Sequence, residues 1–156
     1  MAPSGGQWFG LSGNDPGARW RGANAAGPGV DEFLEQELAR HQLPPSKLAL
    51  VGFSQGTMMA LHVGLRRAAA PAGIVAYSGL LAGPERLSET SARPPVLLIH
   101  GEADDLIPVE ALHAAREALA DAGLSVEWHV RPGLGHGIDP QGQFMAGHFI
   151  ADVLRR

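Results

Sequence analysis

The chain has no cysteine. Disulfides, thiolate zinc sites and a cysteine nucleophile are therefore excluded, and any nucleophile must be sought elsewhere. It also lacks a basic run or a basic stripe interleaved with aromatics. With 12 basic against 16 acidic side chains the net charge is −4, and nucleic acid is not an expected partner. No apolar run approaches the roughly 20 residues that a membrane span requires, so no membrane span is expected. The opening residues Met1-Ala2-Pro3-Ser4-Gly5-Gly6 carry neither the basic nor the apolar block of a signal peptide, which reads as a cytoplasmic protein. What remains is ordinary globular composition, 45% hydrophobic and 18% charged over 156 residues, enough for one domain with a real core. Residues 1–156 read as that single domain.

Within it, the apolar run Leu48 to Phe53 stops at Ser54, which stands between Gly52 and Gly56. This is the G-x-S-x-G pattern, in which a tight strand-to-helix turn lifts a serine hydroxyl clear of its neighbours. Small residues two before and two after the serine are expected on steric grounds at both glycines. Leu48-Ala49-Leu50-Val51 and Met58-Met59-Ala60-Leu61 supply the strand and helix that give the motif its context.

The rest of the chain follows an alternating pattern. Residues 1–29 hold eight of the 21 glycines and three of the 12 prolines, with Trp8, Phe9 and Trp20 as large anchors, and read as an irregular segment. Val30, Phe33, Leu34 and Leu38 recur at helical spacing until Pro44-Pro45. After the serine a buried helix is expected to about Arg67, then a strand at Ile74–Tyr77 and another at Pro95–His100. A helix opens at Pro108, a strand spans Val126–Val130, and Asp139-Pro140 caps a last helix. The order αβαββαβα implies an α/β fold: a mostly parallel sheet of about four strands with helices on both faces, binding ligands at the strands' carboxyl ends.

A serine nucleophile needs a base and a carboxylate to orient it, supplied in the order serine, acid, histidine from loops after successive strands. The loop after the third strand offers Glu102, Asp104 and Asp105, and that after the fourth offers His136. Spacing alone does not choose among the three carboxylates. His100 closes a strand; with Asp104 or His136 it lacks the further ligands of a zinc site, so no metal is expected. No cofactor is needed for this chemistry.

Gly52-Phe53-Ser54-Gln55-Gly56, His100-Gly101 through Asp104 to Ile107-Pro108, and Gly133-Leu134-Gly135-His136 together resemble the phospholipase/carboxylesterase family of α/β-hydrolases, which includes acyl-protein thioesterases and small bacterial carboxylesterases. The resemblance implies Ser54, Asp104 and His136 as the triad, with Glu102 and Asp105 as neighbours. The elbow itself supplies the backbone N–H of Gln55 as an oxyanion donor; the resemblance implies an acyl site at Leu80 and Leu81 and matches Trp8, and the apolar Leu106 and Ile107 are further expected substrate contacts. Family members carry further chain before their Trp-Phe segment, including a loop that gives a second oxyanion donor; its counterpart is not seen before Trp8-Phe9, and Ser4-Gly5-Gly6-Gln7 is the candidate substitute. The expected form is thus a truncated α/β-hydrolase fold, either a natural short form or a piece of a longer chain. The implied activity is hydrolysis of short- to medium-chain acyl esters. A non-catalytic remnant serving as a binding or assembly module is the alternative. The strand carrying Ser54 would be open on one side, which points to a homodimer.

Overall fold

The computed structural model describes residues 6–10, 15 and 17–156. Four parallel strands, β1 (Ala49–Phe53), β2 (Gly73–Tyr77), β3 (Val96–Gly101) and β4 (Val126–Arg131), lie side by side in chain order. The register runs Val51 beside Val75, Val75 beside Leu97, and Leu97 beside Glu127. The helices are α1 (Ala18–His41), α2 (Gln55–Gly64), α3 (Glu110–Asp121) and α4 (Pro140–Arg155).

Strand alternation divides the core in two. Ile74, Ala76, Val96 and Leu98 face one way and pack with Leu61 and Leu65 after the elbow and with Leu112, Ala115 and Leu119 of α3. Val75, Tyr77, Leu97 and Ile99 face the other way, against Ala146, Met145, Phe149 and Ile150 of α4. Asp139 starts α4 by accepting a 2.7 Å bond from the Gly142 N–H, as its N-cap position predicts. The α/β reading, the strand count and the helices on both faces are all present.

The irregular segment expected over residues 1–29 is corrected at its end: α1 begins at Ala18, twelve residues before the hydrophobic period at Val30, and runs unbroken through Pro28. Gly22 and Gly27, which argue against a helix by propensity, stand where other side chains come close, and the small Ala23 lies on the same seam. Ala23 is fully buried against Met59 and Val63. At Gly27 an added Cβ would come within 3.3 Å of the His62 ring. Two helices approaching this closely need small residues at the seam, and tertiary packing overrides the intrinsic cost of glycine in a helix. The second helix is shorter than expected, ending at Gly64. Beyond it Arg67, 2% exposed, reaches back to form ion pairs with Asp31 and Glu35 of α1.

Candidate active site

The elbow is built as its sequence requires at Gly52 and differently at Gly56. A Cβ on Gly52 would stand 2.3 Å from the Gly56 carbonyl oxygen and 2.5 Å from the Thr57 nitrogen, so only glycine lets β1 turn directly into α2. At Gly56 the corresponding Cβ would meet nothing within 4 Å; the steric demand expected there is absent, because that position faces open space. The close approach comes instead from the loop after β2, where a Cβ on Gly79 would lie 2.7 Å from the Ser54 carbonyl oxygen. Ser54 itself has φ 55° and ψ −116°, a backbone conformation that a non-glycine residue holds only under constraint. The constraint is visible: the Ser54 N–H donates to the Tyr77 carbonyl at 2.9 Å, extending the β1–β2 ladder by one residue. The Thr57 hydroxyl lies 2.9 Å from the Gly52 carbonyl and 2.7 Å from that of Tyr77.

Asp104 and His136 come from loops after β3 and β4, which are paired strands. Their loops are tied by backbone bonds, the Ala103 N–H to the Leu134 carbonyl at 2.9 Å and the Glu102 N–H to the Arg131 carbonyl at 3.0 Å. Gly101 makes the approach possible, since a Cβ there would be 2.3 Å from the carbonyl oxygens of Leu134 and Gly135. The outcome is a 2.8 Å bond between His136 Nδ1 and Asp104 Oδ2. A carboxylate accepts, so Nδ1 carries a proton, and in the neutral ring it is Nε2 that keeps the lone pair.

Asp104 is 6% exposed and its other oxygen accepts from the N–H groups of Leu106, at 3.0 Å, and Ile107, at 2.9 Å. Burial by itself pushes this carboxyl up. The bonds from Ile107, His136 and Leu106 outweigh it and hold the group below the usual carboxylate range. Of the competing carboxylates, Glu102 accepts from the Gly133 N–H at 3.2 Å, and Asp105 is exposed.

His100 is the group the sequence undervalues. Buried at the end of β3, its Nε2 lies 2.7 Å from the Ile107 carbonyl and 3.3 Å from Asp104 Oδ2. A carbonyl only accepts, so Nε2 is protonated and holds the turn whose N–H groups serve Asp104. The sequence sets His100 beside Asp104 only as an incomplete metal site; the Ile107 carbonyl that fixes the ring carries no signal in the sequence. Among the described residues no group of three or more histidine or carboxylate side chains is placed to hold a metal ion.

Ser54 is half-buried, and among the described residues none hydrogen-bonds to its hydroxyl. The Phe53 ring, next in the chain, lies 4.9 Å from the His136 ring between centroids, which puts the His136 loop at the elbow's end of the sheet. Gln55 is the first residue of α2, so its N–H belongs to the unpaired donors of a helix N-terminus.

The residues expected to touch substrate are divided. Leu80 and Leu81 line a cavity of about 360 Å³ with Ala82, Ala111, Ala114 and Arg19, and Leu81 is also part of the core. Trp8 lines a separate apolar cavity of about 650 Å³ against α1, with Phe9, Ala26, Val30 and Phe33. Leu106 is 71% exposed, while it and Ile107 lend their backbones to Asp104. Of the candidate oxyanion substitutes, Ser4 and Gly5 lie outside the described residues, and Gly6 and Gln7 are exposed. No helix among the described residues is long and apolar enough to cross a membrane.

Comparison with known proteins gives these positions a setting. The family model for phospholipase/carboxylesterase matches residues 1–154. Esterase YpfH of Escherichia coli is 32% identical over 148 residues, covering 94% of this chain and 62% of that protein. Acyl-protein thioesterase 1 of Gibberella zeae is 31% identical over 115 residues, covering 70% of this chain and 48% of that protein. The chain therefore spans about half to three-fifths of the length of these relatives. Among solved structures, esterase PE8 superposes with a TM-score of 0.87 at 41% identity, covering 93% of this chain and 68% of that one. SOBER1 of Arabidopsis thaliana superposes at 0.82 and 25% identity, covering 95% and 74%. The parallel sheet clothed by helices on both faces is the α/β-hydrolase-like arrangement shared with these structures. By sequence over nearly its whole length and by fold, the chain belongs to the phospholipase/carboxylesterase family.

Proposed function

We propose that this domain, residues 1–156, is a serine carboxylesterase with Ser54 as nucleophile, His136 as base, Asp104 as the residue that orients it and the Gln55 N–H as an oxyanion donor. The observation that carries the reading is the His136 Nδ1 to Asp104 Oδ2 bond of 2.8 Å, made beside a strained serine elbow. In the neutral ring it selects the tautomer whose lone pair is on Nε2, which is the form a base requires. His136 Nε2 takes the Ser54 proton as Oγ bonds to the acyl carbonyl carbon, and the Gln55 N–H donates to the oxygen that gains charge. The tetrahedral species collapses, the alcohol leaves with the proton from His136, and the acyl group stays on Ser54. Water, deprotonated by His136, then attacks the acyl-enzyme and releases the acid. The Asp104 carboxylate, held ionised by its backbone donors, stabilises the imidazolium formed in each half.

Short- to medium-chain acyl esters of simple alcohols are the substrates this reading favours, with Trp8, Leu80, Leu81, Leu106 and Ile107 as the apolar surroundings. The deciding experiment is labelling with a fluorophosphonate, followed by peptide mass mapping. Modification of Ser54, lost in Ser54→Ala, is the expected result. A folded protein that takes no label would instead favour a binding or assembly module.

The same reading includes a homodimer. β1 pairs with β2 alone among the described residues. Its Val51 is 56% exposed and its Phe53 39%. An unguarded apolar edge of about 17 Å, at roughly 3.3 Å per residue, favours pairing with a second copy across a two-fold axis. Sedimentation across a dilution series tests it, and a monomer at every concentration would remove the dimer from the proposal.

A further inference from the structure

Gln55 carries a second feature that its place in the elbow does not require. Its side chain, 8% exposed, reaches the segment before α1. Oε1 accepts from the Trp8 N–H at 2.6 Å, and Nε2 donates to the Phe9 carbonyl at 2.7 Å. The partners fix which atom is which, because an N–H only donates and a carbonyl only accepts. One carboxamide thereby does for two successive residues what a neighbouring strand would do, in a segment with no ladder of its own.

The segment is anchored at its other side by packing. The Phe9 ring sits where a side chain on Gly22 would be, with a Cβ there only 2.5 Å from the ring. Trp8 and Phe9 both pack on the cluster of Ala23, Met59 and Val63. Held between α1 and the elbow, Trp8 and Phe9 form the wall of the 650 Å³ apolar cavity that continues along Ala25, Gly29 and Phe33. The residue whose N–H faces the oxyanion in the proposed mechanism thus also sets where this wall stands.

We propose that the Gln55 carboxamide is a positioning residue that ties the Trp8–Phe9 wall to the elbow and through it sets selectivity for the length of the acyl chain. The selectivity part rests on the esterase reading given above; the clamp does not. With the clamp made, the wall stands at a fixed distance from the elbow, and acyl chains long enough to reach it gain from its apolar surface while acetate does not. Without the clamp the wall moves, and the advantage of the longer chain is lost.

Two measurements test this. In a Trp20→Phe/Trp128→Phe background Trp8 is the remaining tryptophan, and its quenching by acrylamide reads its exposure directly. Gln55→Met keeps the length and loses both bonds; Gln55→Glu keeps an acceptor for the Trp8 N–H and sets a second acceptor against the Phe9 carbonyl. Both should raise the quenching constant with the circular dichroism unchanged, and unchanged quenching in a folded variant overturns the clamp. In the second measurement the ratio of kcat/KM for p-nitrophenyl hexanoate to that for the acetate should fall about tenfold in Gln55→Met, the scale of hydrophobic discrimination in an ester pocket. In a Trp8→Ala background the same substitution should change the ratio no further, since its path of action is gone. Additive effects in that double variant overturn the proposal. If the unsubstituted protein hydrolyses neither ester, the esterase reading and the selectivity fall together, while quenching still decides the clamp.

Discussion

Among the described residues the sheet has β1 and β4 as its edge strands, and they are made differently. β4 carries Glu127, His129 and Arg131, and its exposed Trp128 is covered in part by the Arg116 guanidinium, 5.0 Å from the ring centroid. Charged side chains on an edge deter pairing with another chain. β1 carries Ala49, Leu50, Val51 and Phe53 with no charge at all. Val51 shares a face with the fully buried Val75 and Leu97, yet α4 covers those two and leaves Val51 bare. One edge has the composition of an edge, and the other has the composition of an interior strand. The proposed nucleophile ends the bare strand, the base follows the guarded one, and the acid follows β3 between them.

The largest effect that bears on this arrangement is chemical. Asp104→Asn keeps the shape of the acid but removes the charge that stabilises the imidazolium and favours the wrong tautomer of His136, so turnover should fall by about 10⁴. Asp105→Asn, one residue on and exposed, should stay within about threefold, as surface changes away from a site do. Hydrolysis of p-nitrophenyl butyrate measures both. The opposite ranking would move the acid and dissolve the pairing of a rigid middle strand with the two edges.

That ranking was readable from the residues only in part. Strand and helix order came through because the apolar runs at Leu48–Phe53 and Val96–Ile99 are long and the N-cap Asp139 is unambiguous. The joint order of Ser54, the acidic loop and His136 was also legible, since each follows a strand. Spacing could not separate Glu102, Asp104 and Asp105, because what separates them is the turn that aims the Leu106 and Ile107 N–H groups at one carboxylate. The start of α1 was hidden by Gly22, Gly27, Pro28 and Gly29, of which Gly27 answers to α2 across the seam and Gly22 to Phe9 above it, neither of them local in sequence. Equally, the apolar run of β1 reads the same as that of β3. Composition reports what a strand is suited to be covered by, and says nothing of the neighbour that does it.

A charge exchange between the two edges sharpens the comparison. Val51→Lys writes the pattern of β4 onto β1, and at 56% exposure it removes little packing, so stability should change by no more than about 0.5 kcal/mol. If a second copy pairs on β1, the lysine should weaken the dimer by about 100-fold, because a charge brought into that contact is left without a partner. Glu127→Gln on β4 should leave the dimer as it was. Sedimentation equilibrium on the three proteins separates the outcomes, and equal weakening by both substitutions would mean that the contact does not run along β1.

The smallest expected effect concerns the helix pair behind β1. His62 on α2 is 5% exposed, packs against Gly27, and among the described residues its buried Nδ1 has no hydrogen-bond partner. Burial, with the nearby Arg66 guanidinium adding to it, lowers this imidazole to about 4. An unfolded chain binds the proton with an ordinary imidazole affinity near pH 6.5, so between these values the unfolded state takes up a proton that the folded state refuses. Stability should therefore be complete above about pH 6.5, decline as the pH drops towards 4, and lose no more on this account below it. The full loss is on the order of 3 kcal/mol. His62→Gln has no proton to take up and should flatten this part of the curve, whatever it does to stability at neutral pH. Urea unfolding of both proteins at intervals from pH 7.5 to 4.5 provides the check, with the Asp104 and Asp139 carboxylates, both held low, contributing alike to the two curves. Parallel curves would show that the seam between α1 and α2 tolerates a protonated His62, and that the acid sensitivity of the fold lies on the other side of the sheet.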